Sequence, residues 1–400
     1  MPDMVENQVA PQMTIRHLGR FEQIGIYFGK MLRMFVYQND WKVLPMAAII
    51  AGLVGMVIKS MLFVSMEGTL MGAFALVMVC VWNGCFNSIQ VICRERDVIK
   101  REHRSGMHIS SYVAAHMLYQ FLLCLLQTGV TVYTIKQVGV QFPEEGLFTP
   151  WMMVDFGITM LLITYASDML SLWVSTMAKT TTAAMTVMPF ILIFQLIFSG
   201  GMFSLPSWTH PLSSLTVSNP GLKAVMAQSD YNNQPIASLW NQVYASWDKP
   251  VSTTVTLGQV LDLLQNEKIV EVKRLREQKT QEFVELTAQQ LGIPDTVRNL
   301  YQSDATVGNL IDAIAKDPQI QAKRDDSYTV NTTVGKLVDL VGSEKVRTIL
   351  LYETRDGKLN PEYENTKENI ADYWGRLVGF TILFAALATV ILKFIDKDKR

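Results

Sequence analysis

Cysteine is scarce in this chain, four among 400 residues, and Cys80, Cys85, Cys93 and Cys124 all fall in or beside apolar stretches. No disulfide framework can hold the long polar segment that follows them. An excess of one charge is also lacking: the formal net charge is −1, which excludes the basic footprint of a nucleic-acid binder. The five histidines, His17, His103, His108, His116 and His210, show no metal-ligand spacing, so neither a metal site nor a catalytic residue is expected. The phosphate-cradling frame Gly-x-x-x-x-Gly-Lys-Ser/Thr is missing, since Gly29-Lys30, Gly335-Lys336 and Gly357-Lys358 all lack its first half or its hydroxyl. The chain is therefore not expected to hydrolyse a nucleotide by itself. No cleavable leader is expected either, because the first 40 residues hold no apolar core followed by a small-residue cleavage site.

What is abundant is apolar sequence, 49% of residues, gathered in six blocks near the roughly 20 residues that cross a bilayer. They run near Trp41–Phe63, Thr69–Cys93, Ser110–Ile135, Trp151–Met177, Ala183–Leu205 and Gly375–Phe394. The expectation is an all-α polytopic membrane protein with six transmembrane helices. Lys and Arg gather at one set of ends (Arg16, Arg20, Lys30 and Arg33, the 94–104 stretch, Lys179, and Lys393 to Arg400), while the connections near Glu67 and Glu144-Glu145 are poor in them. Basic residues beside spans resist translocation, so both termini are read as cytoplasmic. Trp41, Trp151 and Trp374 stand at span ends, where indole rings favour the interface. With no disulfide in the outer segment, a bacterial cell membrane is favoured.

Residues 1–40 form a tail and a helix: Phe21, Ile24, Tyr27-Phe28, Met31-Leu32 and Phe35-Val36 recur at helical spacing, suiting a helix at the inner interface or one packed on a soluble partner. Spans 1 to 5 occupy 41–205. About 170 polar residues, 206–374, then form an extracellular domain too long for a passive connection, before the last span and basic tail, 375–400. Inside that domain Thr256-Leu-Gly-Gln-Val-Leu-Asp262, Thr306-Val-Gly-Asn-Leu-Ile-Asp312 and Thr333-Val-Gly-Lys-Leu-Val-Asp339 share a pattern in which Thr caps a helix with a buried aliphatic stripe. The uneven spacing argues against a solenoid. Asn266–Gln290 reads as one long helix, and the domain as mostly helical.

The stretch Ile92 to Tyr112 is short and dense in charge. Arg94, Arg96, Lys100, Arg101 and Arg104 interleave with Glu95, Asp97 and Glu102 at helical steps, which predicts a short amphipathic helix. A solvated positive-inside connector meets the same composition. Within the spans, Trp82, Asn83, Phe86, Asn87 and Gln90 recur at three- and four-residue steps, and Phe190, Phe194 and Phe198 make an aromatic stripe beside Gln195. Such faces line a cavity for an amphipathic substrate or simply pack helices. Asp155 and Asp168 lie in span 4, where an ionisable group is a functional candidate; a proton relay needs more, and only Lys59, Glu67 and His116 stand at scattered depths. Phe198-Ser-Gly-Gly-Met202 is read as a helix end.

Arg101-Glu-His-Arg-Ser-Gly-Met-His-Ile-Ser-Ser-Tyr112 resembles the Glu…Ser-Gly…Ser-Tyr coupling-helix pattern of ABC exporter permeases of the G-subfamily type, with Glu102, Ser105, Gly106, Ser111 and Tyr112 in place but the central Tyr absent. Phe198 to Pro206, Trp208, Ser218-Asn-Pro220 and Ala224–Gln228 look like the end of that family's span 5 and its re-entrant outer helices, here 206–230. The resemblance covers roughly 13–230 and the last span. It implies that residues 94–109 dock on an ATPase subunit through Arg96, Asp97, Lys100, Arg101, Glu102, His103, Arg104 and Ser105. It also implies that Asn83, Phe86, Asn87, Phe190 and Phe194 line a substrate cavity where two permeases meet, as a homo- or heterodimer. ATP and magnesium would sit on the ATPase, with no cofactor in this chain. Lipids, peptides and drug-like molecules all suit such a lining. A Met1-Pro2 start favours a separately encoded ATPase.

Two other classes remain. A membrane anchor or sensor could present the 206–374 domain to an extracellular partner, but needs neither a charged helical handle nor amides inside its spans. An importer or channel lacks support, with no ion-filter pattern or inverted repeat.

Overall fold

A computed structural model of the chain describes residues 18–37, 40–203, 206–268, 270–278, 306–352 and 359–394. It divides between Gln234 and Pro235, and again between Leu359 and Asn360, into two compact units.

The first unit holds α1 (Arg20–Tyr37), α2 (Val43–Ile58), α3 (Met66–Ser88), α4 (Val91–Arg104), α5 (Ile109–Val138), α6 (Met152–Met177), α7 (Thr181–Ile197), α8 (His210–Ser213), α9 (Ser218–Gln228) and, after the second unit, a long helix Lys367–Leu392. Among the described residues, five helical stretches are long and apolar enough to cross a membrane: Asp40–Ile58, Met66–Arg104, α5, α6 and Lys367–Leu392. α7 is apolar but only 17 residues long, about 25 Å at 1.5 Å per residue, less than the roughly 30 Å hydrocarbon core. Each expected block contains a helix, yet several bounds move. The first helix stops at Ile58, before a turn that puts Phe63 at φ 63°. The fifth stops at Ile197 rather than Leu205, at a turn where Gly200 takes φ 82°. The last begins eight residues early, capped by Thr366, whose hydroxyl accepts from Asn369 N.

The core of this unit is the α3–α6 interface with the last helix laid against α6. Tyr112, Phe156, Leu76, Ile92, Ile99, Met160 and Ile163 are among its largest buried side chains. α3 and α6 touch backbone to backbone at Gly84, where a Cβ would stand 2.2 Å from Thr164 O and 2.9 Å from Asp168 N. Small residues allow such close approach between membrane helices.

The second unit, Pro235–Leu359, contains α10 (Ala237–Ala245), β1 (Pro250–Thr256), α11 (Leu257–Gln265), α12 (Val270–Arg276), α13 (Val307–Lys316), α14 (Pro318–Ala322), β2 (Ser327–Thr333), α15 (Val334–Val341) and α16 (Ser343–Leu351); the long helix of the first unit is α17. It is mostly helical, with an antiparallel strand pair that departs from the all-α expectation: Pro250 pairs with Thr333 and Thr256 with Ser327. Both strands are dense in Thr and Val, residues that favour a pleated surface. The three Thr-led helices form as the pattern predicts, with Thr256, Thr306 and Thr333 hydroxyls accepting from Gln259 N, Asn309 N and Lys336 N. The long helix expected over Asn266–Gln290 is not continuous: Asn266 ends α11, a turn follows, and α12 spans only Val270–Arg276. The rest of that stretch, beyond Gln278, lies outside the described residues.

Candidate functional site

The charged stretch after α3 is helical. α3 ends at Ser88, and α4 resumes at Val91, so the expected handle is a continuation of the second span past a two-residue break. The break is held from α6. Ser175 Oγ accepts from Ile92 N at 3.1 Å and Cys93 N at 3.3 Å, satisfying donors that the first turn of a helix leaves open. In return Arg96 Nη1 donates to Thr176 O and Ala178 O, both at 3.0 Å. A cation on the last carbonyls of a helix also suits the negative end of its dipole.

The far end of α4 is held by α1. Lys30 Nζ lies 3.2 Å from Glu102 Oε1. Gln23 Nε2 donates to Gly106 O at 3.3 Å, and Gln23 Oε1 accepts from His108 N at 2.9 Å, so one α1 side chain holds both sides of the turn between α4 and α5. That turn needs a glycine, because Gly106 has φ 108°. Within it, Ser105 Oγ donates to Glu102 O at 2.9 Å and His103 Nδ1 is 3.0 Å from Met107 O. Tyr112 Oη donates to Glu95 Oε2 at 3.3 Å, and the Tyr27 ring meets the Tyr112 ring edge-on at 5.6 Å. Burial, and then the negative charge of Glu102, push the Tyr27 hydroxyl up to about 12; it stays a neutral donor.

These contacts sort the eight residues expected to couple. Ile92, Cys93 and Ile99 are buried on one side, while Asp97, Arg101, Arg104 and Ser105, together with Arg94, are exposed on the other. Steps of three and four residues set Arg94, Asp97, Arg101 and Arg104 in one ridge. Arg96, Lys100, Glu102 and His103 are half-buried. Arg96 and Glu102 grip α6 and α1 rather than face outward.

The expected cavity residues are not gathered in one place. Phe86 and Asn87 line a cleft of about 260 Å³ with Arg94, Glu95, His116 and Gln120, whereas Asn83, Phe190 and Phe194 stand away from it. Phe190 is 71% exposed and Phe86 56%. Asn87 is engaged within the chain, donating to Gln127 Oε1 at 2.6 Å and accepting from Gln127 Nε2 at 3.2 Å. Phe194 packs on Phe198 at 4.7 Å between centroids. Gln195 is a strut, with its Oε1 accepting from Ser218 N at 3.0 Å. Asp155 is another, taking Phe148 N and Thr149 N on its carboxylate at 2.8 and 3.0 Å.

The motif reading missed a polar row on α5. His116, Gln120, Gln127, Thr128 and Thr131 are all buried, and their recurrence at near-helical steps was available in the sequence as a signal. Ser175 and Gln23 carried no such signal, since single polar residues do not announce a partner 80 residues away.

A family model for the ABC-2 type transporter matches residues 24–226, just over half of the chain. This chain belongs to the ABC-2 type transporter family. The match begins within α1 and ends within α9, so the ABC-2 part of the molecule takes in the α1–α4 latch, the spans to α7, and the cleft. The ABC-2 chain is also similar to the ABC transporter ATP-binding/permease protein Rv1747 of Mycobacterium tuberculosis, 27% identical over 194 residues, 45% of this chain. It spans about a fifth of that relative's length, 22%. The chain is a multi-pass membrane protein carrying the membrane domain of an ABC-2 type transporter.

Proposed function

We propose that this permease is the membrane subunit of an ATP-driven exporter of an amphipathic or hydrophobic substrate in a bacterial cell membrane. It works as a dimer, with α7 as its sixth span and both termini in the cytoplasm. An ABC ATPase subunit carries ATP and magnesium. The ridge of Asp97, Arg101, Arg104 and Ser105 docks on that subunit, while Arg96, Lys100, Glu102 and His103 hold the ridge in place. Asn83, Phe86, Asn87, Phe190 and Phe194 face the second permease, and the exposure of Phe86 and Phe190 suits a seam completed by another copy. The Pro235–Leu359 unit lies outside the cell, where it meets substrate or an extracellular partner.

The observation that carries this reading is a charged ridge braced at both ends, by Ser175 and the terminal carbonyls of α6 that Arg96 grips, and by Gln23 and Lys30 on α1. A push on the ridge is thereby delivered to the α6 span and to α1 at once. Coupling needs such a two-state element, biased by both nucleotide and substrate.

Co-purification from the native membrane, with ATP turnover assayed, tests it. A stoichiometric ATPase should be recovered. In the Arg101→Ala, Arg104→Ala double variant, turnover stimulated by the permease should fall about tenfold or more, the loss that one or two charge-assisted contacts carry, with membrane insertion unchanged. Recovery without an ATPase would overturn the exporter and leave an anchor that presents the inserted unit.

A further inference from the structure

The cleft between α1, α3, α4 and α5 is two-faced. Part of its lining is apolar: Met31 and Met34 from α1 and Leu123 from α5. Methionine side chains adapt to irregular apolar shapes. The rest is polar, with Arg94 and Glu95 from α4 nearer the solvent and the buried His116 and Gln120 of α5 at the floor. At about 260 Å³, the space falls just under the range of pockets that enclose a whole drug-sized ligand, roughly 300–1,000 Å³. It suits a headgroup with the start of its tail.

The floor is unfinished. Gln120 is 1% exposed; its Nε2 donates to Ser88 Oγ at 2.7 Å, and its Oε1 has no hydrogen-bond partner among the described residues. His116, one turn earlier on the same face and 3% exposed, has no hydrogen-bond partner for either ring nitrogen among them. Buried polar groups are nearly always paired, and an unpaired one marks a ligand, a strain or a role. The two residues stand one turn apart beneath one cleft; the Gln120 carbonyl asks for a hydrogen-bond donor, and a neutral imidazole for a donor and an acceptor.

Charge narrows the class. Arg94 suits an anionic group, whereas Glu95 and the Gln120 carbonyl suit a cationic donor. A purely anionic head would meet Glu95 and also Asp40, which lines the same cleft; a purely cationic one would meet Arg94. A head carrying both charges satisfies both groups, and the methionine side takes the tail.

We propose that this cleft is an inner-leaflet site for an amphipath with a zwitterionic phosphate-and-amine head and a hydrocarbon tail. Its phosphate lies toward Arg94 and its ammonium toward Glu95 and Gln120. This rests on the permease reading for its place in transport, but not for its binding. A resident bilayer lipid and an exported amphiphile share this chemistry.

The test uses the full-length chain in phosphatidylcholine nanodiscs and a lysophosphatidylethanolamine bearing a diazirine in its tail. Crosslinks are expected on the peptides holding Met31, Met34 and Leu123, competed by unlabelled lysophosphatidylethanolamine. In Gln120→Leu the half-saturating concentration should rise about tenfold, as loss of one hydrogen bond to a charged group implies. His116→Phe, which keeps the ring and its edge contact to Tyr112, controls for packing and should weaken labelling without lowering the melting temperature. Even labelling along the lipid-facing helices, unchanged in Gln120→Leu, would overturn the site. Equal labelling by a lysophosphatidic acid analogue would overturn the zwitterionic assignment. With the ATPase co-reconstituted, ATP-dependent loss of label identifies a cargo, and unchanged label a resident lipid; either supports the site. Binding without any recoverable ATPase would sink the exporter and leave the cleft standing.

Discussion

Gly84 shows how far a single position can govern the bundle. A methyl group there would sit 2.2 Å from Thr164 O and 2.9 Å from Asp168 N, and both are backbone atoms of a buried helix that cannot swing aside. Gly129, on α5, has nothing within 4 Å of its Cβ position. Gly84→Ala should therefore lower stability by about 1–3 kcal/mol, the usual cost of overpacking a close interface. Gly129→Ala should be neutral or better by a few tenths, since Ala is the stronger helix former. Thermal melts of the two variants in detergent separate the cases, and an equal response would show that the α3–α6 contact is looser than Gly84 implies. Residue-scale features of this kind are silent in the sequence. Nothing marks Gly84 apart from Gly129 in the chain, because what differs is the neighbour, 80 residues on.

At the scale of elements, the inserted unit is built from one device used twice. Leu257 N and Gly258 N at the start of α11 donate to Asp326 O and Arg324 O, just before β2; Val334 N and Gly335 N at the start of α15 donate to Lys249 O and Trp247 O, just before β1. Each strand's lead-in thus completes the other's helix start, and Gly335 leaves room for the Trp247 ring, which a Cβ would meet at 2.3 Å. The recurrence of Thr-x-Gly was visible in the sequence as three helix starts. The strands before two of them were not, because Val-Ser-Thr-Thr-Val and Tyr-Thr-Val-Asn-Thr are too short and too polar to stand out without their partner. Membrane helices were legible for the opposite reason: a run of some twenty apolar residues needs no partner to be recognised. The breaks at Ile58 and Ser88 were not, since apolar residues resume within three positions of each, at Met61 and at Ile89.

An ion pair ties the same unit together. Arg276 donates to both carboxylate oxygens of Asp312, at 3.2 and 2.9 Å, and this hydrogen bonding holds the Asp312 carboxyl below its usual range. A carboxyl whose folded value is depressed gives stability that is complete above its unfolded value, near 3.9, and is lost as pH falls through the folded one. Hydrogen exchange of the α12 and α13 amides in the full-length protein, corrected for intrinsic rates, should quicken below about pH 4. Asp312→Asn should be faster than wild type at neutral pH and should lack the acid step. A step that persists in Asp312→Asn would assign it to another carboxylate.

For the whole molecule, the question is whether α1 and α4 act as one body. Lys30 of α1 pairs with Glu102 of α4, with side chains 36% and 27% exposed, beside the Tyr27 hydroxyl, which also bonds Glu102, and Gln23 on the Gly106 turn. Pairs this accessible contribute about 0–1 kcal/mol to stability, so breaking one should leave the fold intact. Its worth is in registration: with Glu102 released, the Arg101–Arg104 ridge can move without carrying α1. Lys30→Glu and Glu102→Lys, made singly, should each lower ATPase stimulation by the permease several-fold while shifting the melting temperature by no more than a few degrees. The double exchange restores an attractive pair between the same two positions and should recover most of the stimulation. Recovery would mean that the pair itself links the elements, since packing lost at either position would not return on swapping. Two single losses that simply add in the double variant would place the mechanical link elsewhere, such as Gln23 on the Gly106 turn.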